Sequence, residues 1–403
     1  MRHAALATAI ALLLSAGPAL YADNGSAASN LGSNAALTYW RAFAIIPETT
    51  PEEDRIIDAV GRGRESKATP EQKEKLVGLW RDALQLMHDA AAIPQCDWGL
   101  DLAWAKEGPY LKLPHYAKAR WLAEGAAFRA QCLWEKGQRK EAAEDLRAAL
   151  ILARHLGNDG RDTLLGALEQ MMIEGRVRIV IEQRLTDREA AEIFADVLGD
   201  LSNGSSGPLA KNGILTEKNG NAWLRRQVAS RSDGVKRVAD ALELGYGPSE
   251  TLAKLRQLQP GDMPKLLDEF DEVEARYDEI AAVAGMPFQE FQANTPALEE
   301  KVKASKNSFS VLFRPMLISL HTARMEEEYY RVRWAMVRAA IAIRRDGEGA
   351  LGSVPDPSDG KSFQYTALDG GAFELKSTIL FNRTGVDFKP LVMTFGHAAP
   401  GKD

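Results

Sequence analysis

The residues of this chain best placed to do chemistry lie between Pro94 and Pro114, in "PQCDWGLDLAWAKEGPYLKLP". This stretch separates two helical patterns by about twenty residues, and loops of that length inside compact domains carry function more often than short ones. Trp98, Trp104 and Tyr110 are of the type that stacks on a ligand. Asp97 and Asp101, with His115 just beyond, are of the type that orients a ligand or moves a proton. The expected site is a ligand-binding loop built from Trp98, Tyr110, Asp97, Asp101 and His115. The competing expectation is that these aromatics plug the end of a helical domain.

Other chemistry is spelled in letters without the context it needs. Gly360-Lys361-Ser362 ends "VPDPSDGKSFQY" like a phosphate loop, but Pro355 and Pro357 remove two of the N–H donors such a loop is made of. Gly347-x-Gly349-x-x-Gly352 matches a dinucleotide fingerprint, yet it follows a helix and runs into prolines rather than leading from strand to helix. Ser205 and Ser206 lie in a Gly/Ser stretch, and no G-x-S-x-G marks a nucleophile. His88, His115, His155, His321 and His397 show no zinc spacing, so neither metal nor cofactor is expected. Paired carboxylates for sugar hydrolysis leave no local signature, since such pairs are distant along a chain.

The two cysteines, Cys96 and Cys132, admit a disulfide if the chain is exported, or two buried thiols if it is not bridged. Export is what the first residues predict. In "MRHAALATAIALLLSAGPALYADNG", Arg2 and His3 precede an apolar run, Gly17-Pro18 breaks it, and cleavage is expected after Ala22. The run is about 13 residues, short of the roughly 20 a membrane span needs. With 45% hydrophobic residues the chain can bury a core, and its formal net charge of −6 argues against nucleic acid as the main partner.

The elements that must position these residues read as helices. In "ATPEQKEKLVGLWRDALQLMHDAAAI", Thr69, Pro70 and Gln72 form a start signal, and Leu76, Leu79/Trp80, Ala83, Met87 and Ala90 form one apolar stripe. Residues 115–157 read as a helix pair broken at Gly137 and ended at Gly157. Gly125, Ala126, Ala142 and Ala149 sit where two helices approach closely, as in a degenerate tetratricopeptide-like hairpin. His155, in the last turn, suits the helix dipole if positively charged. "SNGSSGPLAKNG" reads as a linker. A helix near 308–345 carries Arg324, Arg331, Arg338 and Arg345 every seven residues, a ridge read either as a strip for an acidic polymer or as an ion-paired face. Beyond it, Phe363/Tyr365 and Phe373/Leu375 alternate about Asp369-Gly370-Gly371, which reads as a β-hairpin. Asp356, Asp359 and Asp369 read as turn formers rather than a calcium loop.

"CDWGLDLAWAKEGPYLKLPHYAKAR" and "DLRAALILARHLG", with "ALTYWRAFAIIPE" and the leader, resemble a group of secreted, mostly helical proteins of planctomycete-type bacteria. That resemblance covers most of residues 36–345 and implies a helical fold and an exported address, with no reaction attached. The tail, through Asp356, Pro357, Gly360, Lys361, Tyr365 and Gly371 to Leu375, resembles the end of the major type II pseudopilin. The pseudopilin start is absent, so no filament role is implied.

The expected architecture is mainly α, with antiparallel helical hairpins and a small C-terminal β-hairpin unit. Its parts are a signal peptide at 1–22, a helical domain at 33–201, a linker at 202–213, a second helical block at 214–345 and the β unit at 346–403. The expected function is an exported scaffold of the bacterial periplasm or cell surface with a protein partner. The alternative is an exported hydrolase or saccharide binder using residues 94–115. The two differ in whether titratable groups converge in a cleft.

Overall fold

A computed structural model describes residues 34–100, 113–157, 164–199, 209–230, 233–246, 253, 256–257, 262–304, 310–381 and 389–396. The leader, residues 202–208 of the expected linker, Asp101, Trp104, Tyr110 and His397 lie outside the described residues. Described elements are mainly helical, with one small antiparallel sheet at the C-terminal end.

Local signals start the first helices. Asn34 caps α1 (Ala35–Ala44), and capping boxes at Thr50/Glu53 and Thr69/Gln72 open α2 (Pro51–Gly61) and α3 (Pro70–Ala91), each with proline at the first position. The helix α4 (Pro114–Glu135) ends where Gly137 takes φ 79°, a left-handed turn that returns the chain as α5 (Arg139–Gly157). α6 (Leu164–Arg184) and α7 (Arg188–Gly199) follow. From α1 to α7 each helix packs against the next but one, so the even-numbered helices form one layer and the odd-numbered ones the other. The small residues expected at close approaches are there: Ala126, Ala142 and Ala149 are fully buried. Gly125 meets the ring of Trp80 on α3, so its missing Cβ serves the α3–α4 contact.

The second set is α8 (Leu209–Ser230), α9 (Gly234–Tyr246), α10 (Met263–Ala284), α11 (Phe288–Ala304) and α12 (Ser310–Asp346). α12 is about 55 Å long at 1.5 Å per residue, and it belongs to two cores. Leu320 and Ala323 pack with Trp223, Phe270, Ile280 and Phe291. Val332, Met336, Ala339, Ala340 and Ile343 join the core of the first seven helices. The expected boundaries are redrawn accordingly. The second block does not stand apart from the first, because α12 completes both. Helix α8 also begins inside the expected linker, at Leu209, because the Glu327 carboxylate of α12 accepts the N–H groups of Leu209 (2.8 Å) and Ala210 (3.4 Å).

The arginine ridge of α12 is not a surface strip. Arg324 is buried, paired with Glu328 at 3.3 Å and set over the rings of Phe288 and Phe291. Arg331 joins Glu328 (2.8 Å) to the Pro357 carbonyl (2.9 Å). Burial pulls the pKa of Arg338 down, with Glu174 acting against it, and Arg345 is exposed. Seven residues is nearly two turns, but the other helices cover that line unevenly.

The C-terminal unit contains the expected hairpin, β1 (Gln364–Ala367) and β2 (Phe373–Phe381), turning at Asp369–Gly371 with Gly370 at φ 67°. A third strand, β3 (Lys389–Phe395), extends it to the order β1-β2-β3. Phe373, Leu375, Met393 and Phe395 are buried in the first core, and Arg344 of α12 lies 4.9 Å from the Phe373 ring centroid. The Gly-Lys-Ser stretch is a closed turn. Asp356 N–H donates to the Lys361 carbonyl, and the buried Asp356 carboxylate takes the hydroxyls of Ser358 and Ser377. A carboxylate stands where a phosphate would need donors.

Candidate functional site

The described part of the aromatic loop, residues 94–100, is stitched to the start of α1. Ala35 N–H donates to the Gln95 carbonyl at 2.8 Å, Asn34 Nδ2 donates to the Asp97 carbonyl, and Asp97 N–H returns to Asn34 Oδ1, both at 2.9 Å. The Asp97 carboxylate accepts the Gly99 N–H at 2.7 Å, a local turn bond made while Gly99 takes φ 71°. It is a turn former.

Trp98 enters a stack of rings. His115, in the first turn of α4, lies 4.8 Å away at 20°; Tyr39 and Phe43 of α1 lie at 5.8 Å and 6.2 Å, also near parallel. Trp40 meets Trp98 and His115 nearly edge-on. The indole N–H donates to the His155 carbonyl at the end of α5, at 2.8 Å. Trp98, half-buried, therefore joins α1, α4 and α5 through its ring and its N–H. Trp98 and His115 come together, while Asp101 and Tyr110 lie outside the described residues.

Two histidines sit in this seam, and burial brings the pKa of each down to about 4. Burial thus disfavours the positive charge that would suit the dipole at His155, at the end of α5. The His155 Nδ1 lies within hydrogen-bond distance of the Tyr39 hydroxyl, at 3.1 Å, and the phenol's own pKa is raised by burial first and by Cys96 second. His115 is 3% exposed, and its Nε2 has no hydrogen-bond partner among the described residues.

No disulfide joins Cys96 to Cys132; both are buried thiols. Cys96 lies beside the Trp98 end of α4, whereas Cys132 is about 25 Å further along that helix than His115. A bridge needs Cα atoms within about 7 Å. Burial pushes the Cys132 thiol up to about 11.

Elsewhere the buried polar groups act as staples between helices. Asp145 of α5, fully buried, takes His88 Nε2 of α3 at 2.8 Å and lies 3.1 Å from Arg129 Nε of α4. Burial raises its pKa, and His88 and Arg129 work against that rise. Glu174 of α6, its pKa raised by burial, takes Gln170 Nε2 at 2.8 Å and balances Arg154 and Arg338. Asp58, Glu124 and Arg176 bind α2, α4 and α6. A recess of about 170 Å³ beside Thr50, Glu53, Ile56 and Lys75 is too small for most ligands, and its Glu53 and Lys75 pair at 3.0 Å. Among the described residues no three His, Cys, Asp or Glu side chains gather as a metal site, and no helix is long and apolar enough to cross a membrane.

Sequence reasoning missed Tyr39, Trp40, Phe43 and His155 as members of this cluster. The signal was available for the first three, which crowd one helix in "TYWRAF"; nothing local pairs them with His155. Comparison of the chain with protein-family models, with curated proteins and with solved structures finds no match.

Proposed function

We propose that this chain is an exported helical scaffold or interaction protein of the bacterial periplasm or cell surface that binds a protein partner, with no identifiable catalytic machinery among the described residues. One observation carries this reading. The described loop helps to hold α1, α4 and α5: the Trp98 N–H goes to the His155 carbonyl and the Asp97 backbone pairs with the Asn34 side chain, while the Asp97 carboxylate closes a local turn on Gly99. A catalytic loop needs at least two titratable groups turned toward a substrate. The two-layer stack of helices supports a scaffold as well, since such stacks present extended surfaces to partners. The leader and the resemblance to secreted helical proteins supply the address. Crosslinking of the full chain in living cells, followed by identification of the adducts, tests the reading. A recurrent protein partner is expected, and turnover of glycoside or ester substrates by the purified chain would refute it.

A second reading, an exported hydrolase or saccharide binder using residues 94–115, is favoured by one feature. Trp40 is 41% exposed and lies edge-on to His115, whose Nε2 is without a described partner. Titration with a panel of oligosaccharides separates the two, because this reading requires binding that Trp40→Ala abolishes.

A further inference from the structure

Helix α12 passes from one core into the other. Leu320 and Ala323 lie in the second core, Tyr329 and Val332 in the first, and the stretch that joins them carries Arg324, Glu327, Glu328 and Arg331. Spacings of three and four residues put these side chains on one flank of the helix. The two ends of the set hold backbone turns on either side of the crossing. Arg324 donates through Nη2 to the Met286 carbonyl, between α10 and α11, at 3.3 Å, and lies over the rings of Phe288 and Phe291. Arg331 donates through Nη2 to the Pro357 carbonyl, in the turn that leads to β1, at 2.9 Å. Between them stands Glu328, fully buried, with Oε2 3.3 Å from Arg324 Nη1 and Oε1 2.8 Å from Arg331 Nη2. Glu327 sets a second carboxylate 3.7 Å from Arg324 while it caps the start of α8. We infer that Arg324, Glu328 and Arg331 form a relay that couples the Met286 turn of the second core to the Pro357 turn of the C-terminal unit, so that releasing one turn from the relay loosens the other.

The physical cause is a shared carboxylate. Each guanidinium is divided between Glu328 and one backbone carbonyl. A buried carboxylate that loses one partner draws harder on the other, because an oxygen left unmet in the interior is costly. Without Arg331, Glu328 pulls the Arg324 guanidinium toward itself and off the Met286 carbonyl. Without Arg324, it pulls Arg331 off the Pro357 carbonyl, since a single nitrogen of Arg331 serves both acceptors. Coupling of this kind is reciprocal, and its usual size is about 5–150-fold.

Both turns carry backbone reporters. At one, the N–H groups of Gly285, Met286 and Phe291 donate to the carbonyls of Ala281, Val283 and Pro287; at the other, those of Asp356 and Gly360 donate to Lys361 and Asp356. Hydrogen exchange on the full chain reads them in the unaltered protein, in Arg331→Met and in Arg324→Met. The Arg331 side chain is 50% exposed, so its replacement leaves the core packing in place.

In Arg331→Met the amides of Gly285, Met286 and Phe291 are expected to exchange about tenfold faster, although the described bonds of Arg331 go to Glu328 and Pro357. In Arg324→Met those of Asp356 and Gly360 are expected to speed up by a similar factor. Arg345→Met, on the same line of α12 but paired with its neighbour Asp346, is the control and should change neither turn. Faster exchange confined to residues 356–361 in Arg331→Met, or equal acceleration throughout the chain, would overturn the relay. Should a variant fold poorly, exchange of the unaltered protein in low urea decides. One opening shared by the two turns, with a common urea dependence, supports the relay, and separate openings refute it.

Discussion

Replacing Gly125 by alanine drives a methyl group into the ring of Trp80. A Cβ built at Gly125 stands 2.2 Å from Cε3 and 2.5 Å from Cδ2 and Cζ3 of that indole, where carbon atoms normally rest about 3.5–4.0 Å apart. Trp80 is buried, so α3 and α4 must separate or the indole must shift or leave its rotamer. Overpacking of this kind costs about 1–3 kcal/mol, and a clash exceeding an ångström belongs at the upper end. Alanine returns about 1 kcal/mol of helix propensity, leaving a net loss of about 2 kcal/mol. Gly78 is the internal control, because it lies on α3 where an added methyl group meets nothing within 4 Å. Gly78→Ala should therefore stabilise by about 0.5–1 kcal/mol, so the two substitutions differ in sign. Urea unfolding followed by circular dichroism reads both. Trp80→Leu in the Gly125→Ala background should cost less than the sum of the two single changes, since a smaller side chain makes room for the methyl group. A Gly125→Ala protein as stable as the parent would refute the packing of α3 against α4 described above.

Asp145→Ala leaves His88 and Arg129 facing each other across three helices, and should cost about 3 kcal/mol in the same unfolding assay. Glu174→Gln leaves Arg154 and Arg338 without their shared carboxylate, and should lower the melting temperature more than Glu192→Gln, whose partner Arg188 is an exposed neighbour on the same helix. Peptide mapping without reductant should find Cys96 and Cys132 as two thiols, and a linked pair would contradict their separation along α4. N-terminal sequencing of the exported chain should begin at Asp23. Lys361→Ala should leave nucleotide binding unchanged at none, because the turn it belongs to is closed around Asp356.

Much of the fold was legible because its causes are local. The box at Thr69/Gln72 is closed by side chains three residues apart, and Gly137 ends α4 through its own backbone freedom. The turn at Asp369-Gly370-Gly371 likewise follows from residues in contact along the chain. Periodicity placed α12 and its arginines at one azimuth, but it carries no information about what covers that azimuth. Arg324 faces two phenylalanines while Arg345 is exposed, on the same line of one helix.

The site was legible only in part, and for the same reason. Trp98 and His115 are close in sequence across one loop, so their meeting followed from the chain's path. Tyr39 and His155 are 116 residues apart, and only the packing of α1 across the ends of α4 and α5 brings them within 3.1 Å. Distance along α4, set by the end at which residues 94–100 dock, keeps Cys96 from Cys132. By itself the sequence determined that most of the chain is helical, where α3 starts, where α4 and α5 stop, and that a hairpin follows the helices, since hydrogen bonds and backbone sterics within a few residues decide those features. Only the tertiary structure decided that α12 completes two cores, that Glu327 caps α8, and that the aromatic loop is an internal seam. These are contacts between residues far apart in the chain, selected by the joint fit of many side chains that no local pattern encodes.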